Sequence, residues 1–450
     1  MSNAQAVIER GLRSSKSVAE IALDQGVLAR APQLLSTHFG ASAACLVADE
    51  NTWKAAGAAV ESHLAAAGKA VTKIVLPASP KPKPSVELAS ELASFLTSSG
   101  GVPVAVGSGV INDVVKHAAF SLQRPYLCVA TAASMDGYTS AGAPLSEKGF
   151  KKTIQCRPAR VIAGDLEVLR NAPKKMSGWG FSDLAGKIPA GADWILADAL
   201  GIEPIDNAAW PMVQEHLREF LADPEDVAQG QAQAIGKLFA GLAAVGLAME
   251  AHGSSRPASG ADHQIAHLWE MEGLSHGGEP VSHGACVAIG SLAVLQLYQW
   301  LLRQDLSSLD VEHALHRAKT LPEKVDDVRR AFGSSEIGER SIEEVRMKHV
   351  ERDELRARLC RFKHDWTGLK PRLQRQLMTP DAFATMLAAA GAPNSPAAIG
   401  VNGSRLRKTV LEARFLRSRY TILDTLEETG LLHRAVTELF PEGEDLRLVS

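Results

Sequence analysis

The sequence predicts an α/β Rossmann-like parallel-sheet domain over residues 1–165, followed by an all-α domain over residues 166–450. Three observations predict it. Short apolar runs alternate with helical patterns through the first third of the chain. Glycine-rich or small-residue turns follow two of those runs. From Ser182 onward helical spacing takes over, with Gly and Pro only at breaks.

In order, "ACLVADENTW" is a short buried strand that ends on Asp49, and "AAGAAVESHLAAAG" is the helix after it. "KAVTKIVLPA" is a second strand, followed by the proline-stiffened turn "SPKPKPS". "SVELASELASFLTSSGG" has helical spacing and a glycine stop, and "VPVAVGSG" is a third strand running into glycine. "NDVVKHAAFSL" is the next helix, "PYLCVATAAS" the fourth strand, and "KTIQCRPARVIAGDLEVL" adds strand-like material that closes this half. Such alternation implies right-handed crossovers and a parallel sheet. The remainder is helical, with an extension from about residue 305.

Composition narrows the function classes. A net charge of −3 and no long basic block argue against a nucleic-acid scaffold. Hydrophobic content of 46% with 22% charged residues is that of a globular protein. No apolar run is expected to approach the roughly 18 residues of a membrane span, and no secretory pattern opens the chain. Five cysteines without paired spacing read as reduced thiols, so a cytoplasmic protein is expected.

Four features carry candidate chemistry. Gly107-Ser108-Gly109 stands between a buried strand and a helix, where backbone N–H groups can meet a pyrophosphate; a tight turn reads the same way. Asp49, at an earlier strand end, is either a helix N-cap or a partner for adenosine ribose hydroxyls, the latter favouring NAD over NADP. "ATAASMDGYTSAG" sets Thr131, Ser134, Thr139 and Ser140 at a sheet edge, although Asp136-Gly137 is first a turn former. Finally, His263 and His267 share a helix face, and His283 and Asp183 offer further donors. One Asp and two His leave positions open on a divalent metal, whereas single histidines are ordinarily core or surface groups. Gln264 stands where a zinc protease carries its glutamate base, and a glutamine cannot take a proton, so the pattern is not that of the protease.

The runs "GSGVINDVVK", "ATAASMDGYTSAGAPL", "GFSDLAGK" with "ADW", "SRPASGADHQIAHLWEM" and "SHGACVAIG", in that order, resemble the sn-glycerol-1-phosphate dehydrogenase family. That family belongs to the iron-containing alcohol dehydrogenase and dehydroquinate synthase-like superfamily. The tail "LEARFLRSRYTILDTLEETGLL" is similar to its bacterial AraM-type branch. The resemblance implies that superfamily's architecture and NAD(P)-linked interconversion of dihydroxyacetone phosphate and sn-glycerol 1-phosphate. It implies that Gly107, Ser108, Gly109, Val110, Ile111, Thr131, Ala132, Ala133 and Ser134 contact NAD, with Asp49 and Ser140 helping. Asp183, His263 and His283 would hold zinc or nickel. Asp136 and His267 would face the substrate, with Asp183 bordering it and His267 a proton carrier. A small phosphorylated three-carbon substrate and a homo-oligomer are expected, and NADP use stays open.

Two positions depart from the family: Ser182 precedes Asp183 where Gly is common, and "IPAGADW" is less polar than its counterpart. Both bear on substrate choice. Arg256 is a candidate for the substrate phosphate. The alternatives are a polyol dehydrogenase, a dehydroquinate-synthase-like cyclase, and a non-catalytic NAD-binding scaffold.

Overall fold

A computed structural model describes residues 2–40, 43–147 and 150–441. The chain divides into two compact units: its described residues to Leu184 with Ala208–Ser254, and Ala185–Asn207 with the described residues from Ser255 onward. The last strand of the large sheet ends at Asp165, whereas the unit holding that sheet continues to Leu184 and takes in the long helix Ala232–His252.

The first unit is built on a six-stranded sheet. Its strands are β1 (Glu20–Asp24), β2 (Ala43–Asp49), β3 (Ala70–Leu76), β4 (Val102–Gly107), β5 (Leu127–Ala130) and, after a hairpin of β6 (Gly142–Glu147) and β7 (Phe150–Gln155), β8 (Val161–Asp165). The order is β1-β8-β5-β4-β2-β3, and every neighbouring pair is parallel. Central strands are covered on both faces, so β2, β4, β5 and β8 read as near-continuous apolar runs. The edge strand β3 instead carries exposed Thr72 and Lys73. Leu46, Val104, Val129 and Val161 line one face and pack with Val27, Leu34, Leu35, Val60 and Leu64 from the helices beneath.

The chain leaves β2 toward β3 on one side and returns to β4 on the other. The connections therefore reverse between β2 and β4, whose register pairs Leu46 with Val104. Ligands of parallel sheets sit outside the carboxyl ends at such a reversal. Here those ends are Asp49 and Gly107.

The second unit is helical, and its interior helix is His283–Leu302, buried on all sides from Gly284 to Leu295. Gly290 lets that helix close on Ala261–Met271, since a Cβ there would lie 2.4 Å from the Asp262 carbonyl oxygen. Helices Ala232–His252 and His283–Leu302 are long and apolar enough to cross a membrane, contrary to the sequence expectation. However, 78% and 83% of those stretches are buried within the protein, the pattern of core helices. Small residues such as Gly241, Gly246 and Gly290 interrupt their apolar runs and hide that length in the sequence.

Candidate active site

In the first unit, the glycine turn and the small-residue loop meet. β4 ends at Gly107, and helix Gly109–Ser121 starts with Ser108 as its N-cap residue. The first intrahelical bond here runs from Asn112 N to Ser108 O at 2.9 Å, so the N–H groups of Gly109, Val110 and Ile111 have no acceptor within the helix. Thr131 N donates to Gly107 O at 3.2 Å, which places the two motifs side by side. Buried Lys116 in the same helix donates to Gly137 O at 2.7 Å and Gly142 O at 2.9 Å, clamping both limbs of the loop.

The loop's hydroxyls divide by use. Tyr138 donates to Ala132 O at 2.8 Å and Thr139 to Ala243 O at 2.8 Å. Ser140 Oγ lies 3.2 Å from Gly137 O and 3.3 Å from Gly142 O, so its proton is engaged within the loop. Ala132 and Ala133 are buried, Thr131 nearly so, and Ser134 is half-buried. A Cβ on Gly180 would lie 2.0 Å from Ala133 O, so glycine lets helix Lys174–Ala185 press against this loop. That approach places fully buried Asp183, whose Oδ2 accepts from Asp136 N at 3.1 Å. Asp49 caps the short helix after β2 through Oδ1, accepting from Asn51 N and Thr52 N at 2.8 Å each. The capping reading thus holds, with Oδ1 alone engaged in those two bonds.

In the second unit, three imidazoles converge. His263 and His267 are one turn apart on helix Ala261–Met271, and His283 is the first residue of His283–Leu302. Ring centroids are separated by 5.3 Å for His263–His283, 5.6 Å for His267–His283 and 5.9 Å for His263–His267. Two rings are held by carboxylates on one nitrogen. His263 Nδ1 donates to Asp262 Oδ2 at 2.7 Å, and His283 Nδ1 donates to Glu270 Oε1 at 2.5 Å. Each ring therefore presents Nε2 as a lone-pair donor, the arrangement found around metal-binding histidines. Ligand atoms of His267, Glu270 and His283 also lie within 4.8 Å of one another, a grouping not foreseen from the sequence. Burial pushes the pKa of His267 well below its ordinary value. Glu270 opposes that shift, while Arg417, His283 and His263 reinforce it.

Sequence reasoning missed Asp262, Glu270 and Asp193. Asp262 adjoins a candidate ligand, and Glu270 lies one turn beyond His267, so both were findable from the spacing of the motif. Asp193 was not, because its partners are far apart in sequence. It accepts from Tyr298 Oη at 2.6 Å, Ala261 N at 2.7 Å and Ile422 N at 2.8 Å. Arg256 does not fit the phosphate role expected of it. It is 1% exposed, donates to Tyr420 O and Asp193 O, and lies 3.2 Å from Glu203.

Comparison with known proteins adds what geometry cannot. Residues 22–173 match the family described as iron-containing alcohol dehydrogenase. A glycerol-1-phosphate dehydrogenase [NAD(P)+] of Bacillus licheniformis is 32% identical over 340 residues, spanning 73% of this chain and 82% of that protein. This chain belongs to the glycerol-1-phosphate dehydrogenase family. The Bacillus subtilis member is 36% identical over 262 residues, 58% of this chain and 66% of that protein. A solved structure of a probable glycerol dehydrogenase from Sinorhizobium meliloti matches with a TM-score of 0.59 at 14% identity, covering 94% of this chain and 98% of that one. That likeness speaks for the fold alone. The family resemblance read from the motifs thus holds, and the chain is an oxidoreductase of the iron-containing alcohol dehydrogenase type.

Proposed function

We propose that this glycerol-1-phosphate dehydrogenase family member reduces dihydroxyacetone phosphate to sn-glycerol 1-phosphate with NADH, reversibly. The observation that carries the reading is the imidazole cluster with His263 and His283 each pinned through Nδ1. Nε2 donors oriented in this way suit a metal that polarises a carbonyl, and the redox reading rests on the family to which the chain belongs.

The donor set fits a divalent cation, because neutral imidazole nitrogens and a carboxylate suit zinc or nickel. His263 and His283 would hold it, with Asp183 as the third ligand and open positions for substrate. When bound, the metal supplies Lewis-acid stabilisation at the substrate carbonyl and the nicotinamide supplies the hydride. Gly109, Val110 and Ile111 offer N–H groups to the pyrophosphate, and Gly107 and Ser108 shape the turn. Thr131, Ala132, Ala133 and Ser134 would line the cofactor, and Ser140 would act on it by holding their loop. Asp49 Oδ2 would accept from the ribose hydroxyls of a bound cofactor and disfavour a 2′-phosphate, so NAD would be preferred to NADP.

His267 would face the substrate and relay a proton between solvent and the product oxygen through its ring nitrogens. Asp136 steadies the substrate from a backbone tied to Asp183. Each turnover thus moves one hydride to the carbonyl carbon and one proton to its oxygen. The five free thiols agree with a cytoplasmic site of action, and a homo-oligomer is expected.

The test follows NADH oxidation with dihydroxyacetone phosphate and with dihydroxyacetone, after chelation and after adding back zinc or nickel. The reading expects metal-dependent turnover that favours the phosphorylated ketone. Turnover of dihydroxyacetone alone would replace it with the polyol dehydrogenase.

A further inference from the structure

One cation beside the histidine helix makes neither an ion pair nor a hydrogen bond among the described residues. After helix Gly403–Glu412 the chain runs through residues 413–420, and this segment is pinned around Arg417. Ser418 N donates to Glu344 Oε2 at 2.5 Å. The Arg419 guanidinium closes on the Ser259 carbonyl at 3.0 Å and the Ser255 hydroxyl at 2.9 Å. Arg419 O in turn accepts from Gln264 Nε2 at 3.3 Å, and Gln264 sits between the two histidines of helix Ala261–Met271.

The neighbouring arginines are occupied. Arg414 meets Glu427 at 3.0 Å, Arg256 meets Glu203 at 3.2 Å, and Arg358 meets Glu428 at 2.5 Å. Among the described residues Arg417 makes no ion pair or hydrogen bond. The acid that stabilises its charge, Glu344, is engaged by Ser418 N, and Arg340 adds a second positive charge nearby. Arg417 is nonetheless half-buried, in the segment that Gln264 ties to the histidine helix. A half-buried guanidinium with no direct ion pair or hydrogen bond is costly to keep unless an anion completes it. Its planar fork matches a phosphate through two parallel N–H bonds, whereas a lysine meets it as a point charge.

We propose that Arg417 receives the anionic group of the substrate and sets the preference for a phosphorylated over a free three-carbon ketone. This rests on the reading of the site as a ketone reductase. It also replaces Arg256, which the fold has already committed elsewhere.

The experiment compares metal-loaded wild type, Arg417→Gln and Arg417→Lys. One arm measures kcat/KM for dihydroxyacetone phosphate against dihydroxyacetone. The other uses inorganic phosphate as the probe, reading competitive inhibition and thermal shift without turnover. Loss of a charge-assisted contact should lower the kcat/KM ratio of the two ketones by roughly 10- to 100-fold in Arg417→Gln. Arg417→Lys should fall between, and phosphate should shift the wild-type melting but not that of Arg417→Gln. An unchanged ratio, or an equal loss on both ketones with phosphate binding retained, overturns the proposal. If Arg417→Gln does not fold, Arg417→Lys decides, since an unchanged ratio there overturns it as well. A wild type that favours the free ketone defeats the functional reading, while its phosphate shift still reports on Arg417.

Discussion

The loop after β5 and the histidine helices of the second unit present their polar groups in opposite ways. Around the loop the groups offered are backbone ones, and side chains such as Lys116, Thr139 and Ser140 hold the backbone in shape. Around the helices the groups offered are side chains, and other side chains, Asp262 and Glu270, aim them. A site made of backbone survives the loss of any one hydroxyl. A site made of imidazoles does not survive the loss of a ring.

The largest expected effect breaks that comparison at its strongest point. His263→Ala should remove bound metal and activity together, with kcat falling at least about 1,000-fold, as electrostatic stabilisation of developing charge is commonly worth. Elemental analysis showing full metal stoichiometry in that variant would sink the ligand assignment.

Next is the pH response of Asp193. Burial pushes its carboxyl up to about 6, against hydrogen bonds from Tyr298, Ala261 and Ile422 that pull it down. A carboxyl raised on folding opposes the folded state once ionised. Its contribution is therefore most favourable below the unfolded value near 4 and is lost as pH rises through about 6. Unfolding curves of wild type and Asp193→Asn should diverge between pH 4 and 7 by on the order of 3 kcal/mol, with the variant gaining as pH rises. A stability difference that stays flat across that range would count against it.

Asp262→Asn should keep the fold and weaken metal affinity about 10- to 100-fold, read by competition with a chelator. Unchanged affinity would mean that aiming His263 contributes nothing. The smallest effect belongs to Ser140→Ala, which should lose about 0.5–1.5 kcal/mol of stability and shift the KM for NADH only slightly. A large KM change would show that the hydroxyl itself meets the cofactor, and would erase the contrast between the two regions.

Legibility in the sequence follows the same division. β2, β4 and β5 were readable because strands buried on both faces leave continuous apolar runs. β1 was not, since five residues with acidic ends pair with β8 some 140 positions later. His263 and His267 stood out because four residues make one helical turn. Arg256 misled because nothing in a sequence shows that a guanidinium is already claimed by Glu203 and two carbonyls. Arg417 was passed over for the converse reason: its lack of a partner exists only in three dimensions.

The three donors on Asp193 come from residues 261, 298 and 422, so one carboxylate ties the start of the histidine helix to a segment made late in synthesis. That tie has a consequence for timing. As the chain emerges, Ala261 can meet Asp193 well before Ile422 exists, and until then the buried carboxylate is one donor short. The full set of donors on Asp193, and with it the anchoring of the first turn of the histidine helix, is accordingly complete only once the segment around Ile422 has been made.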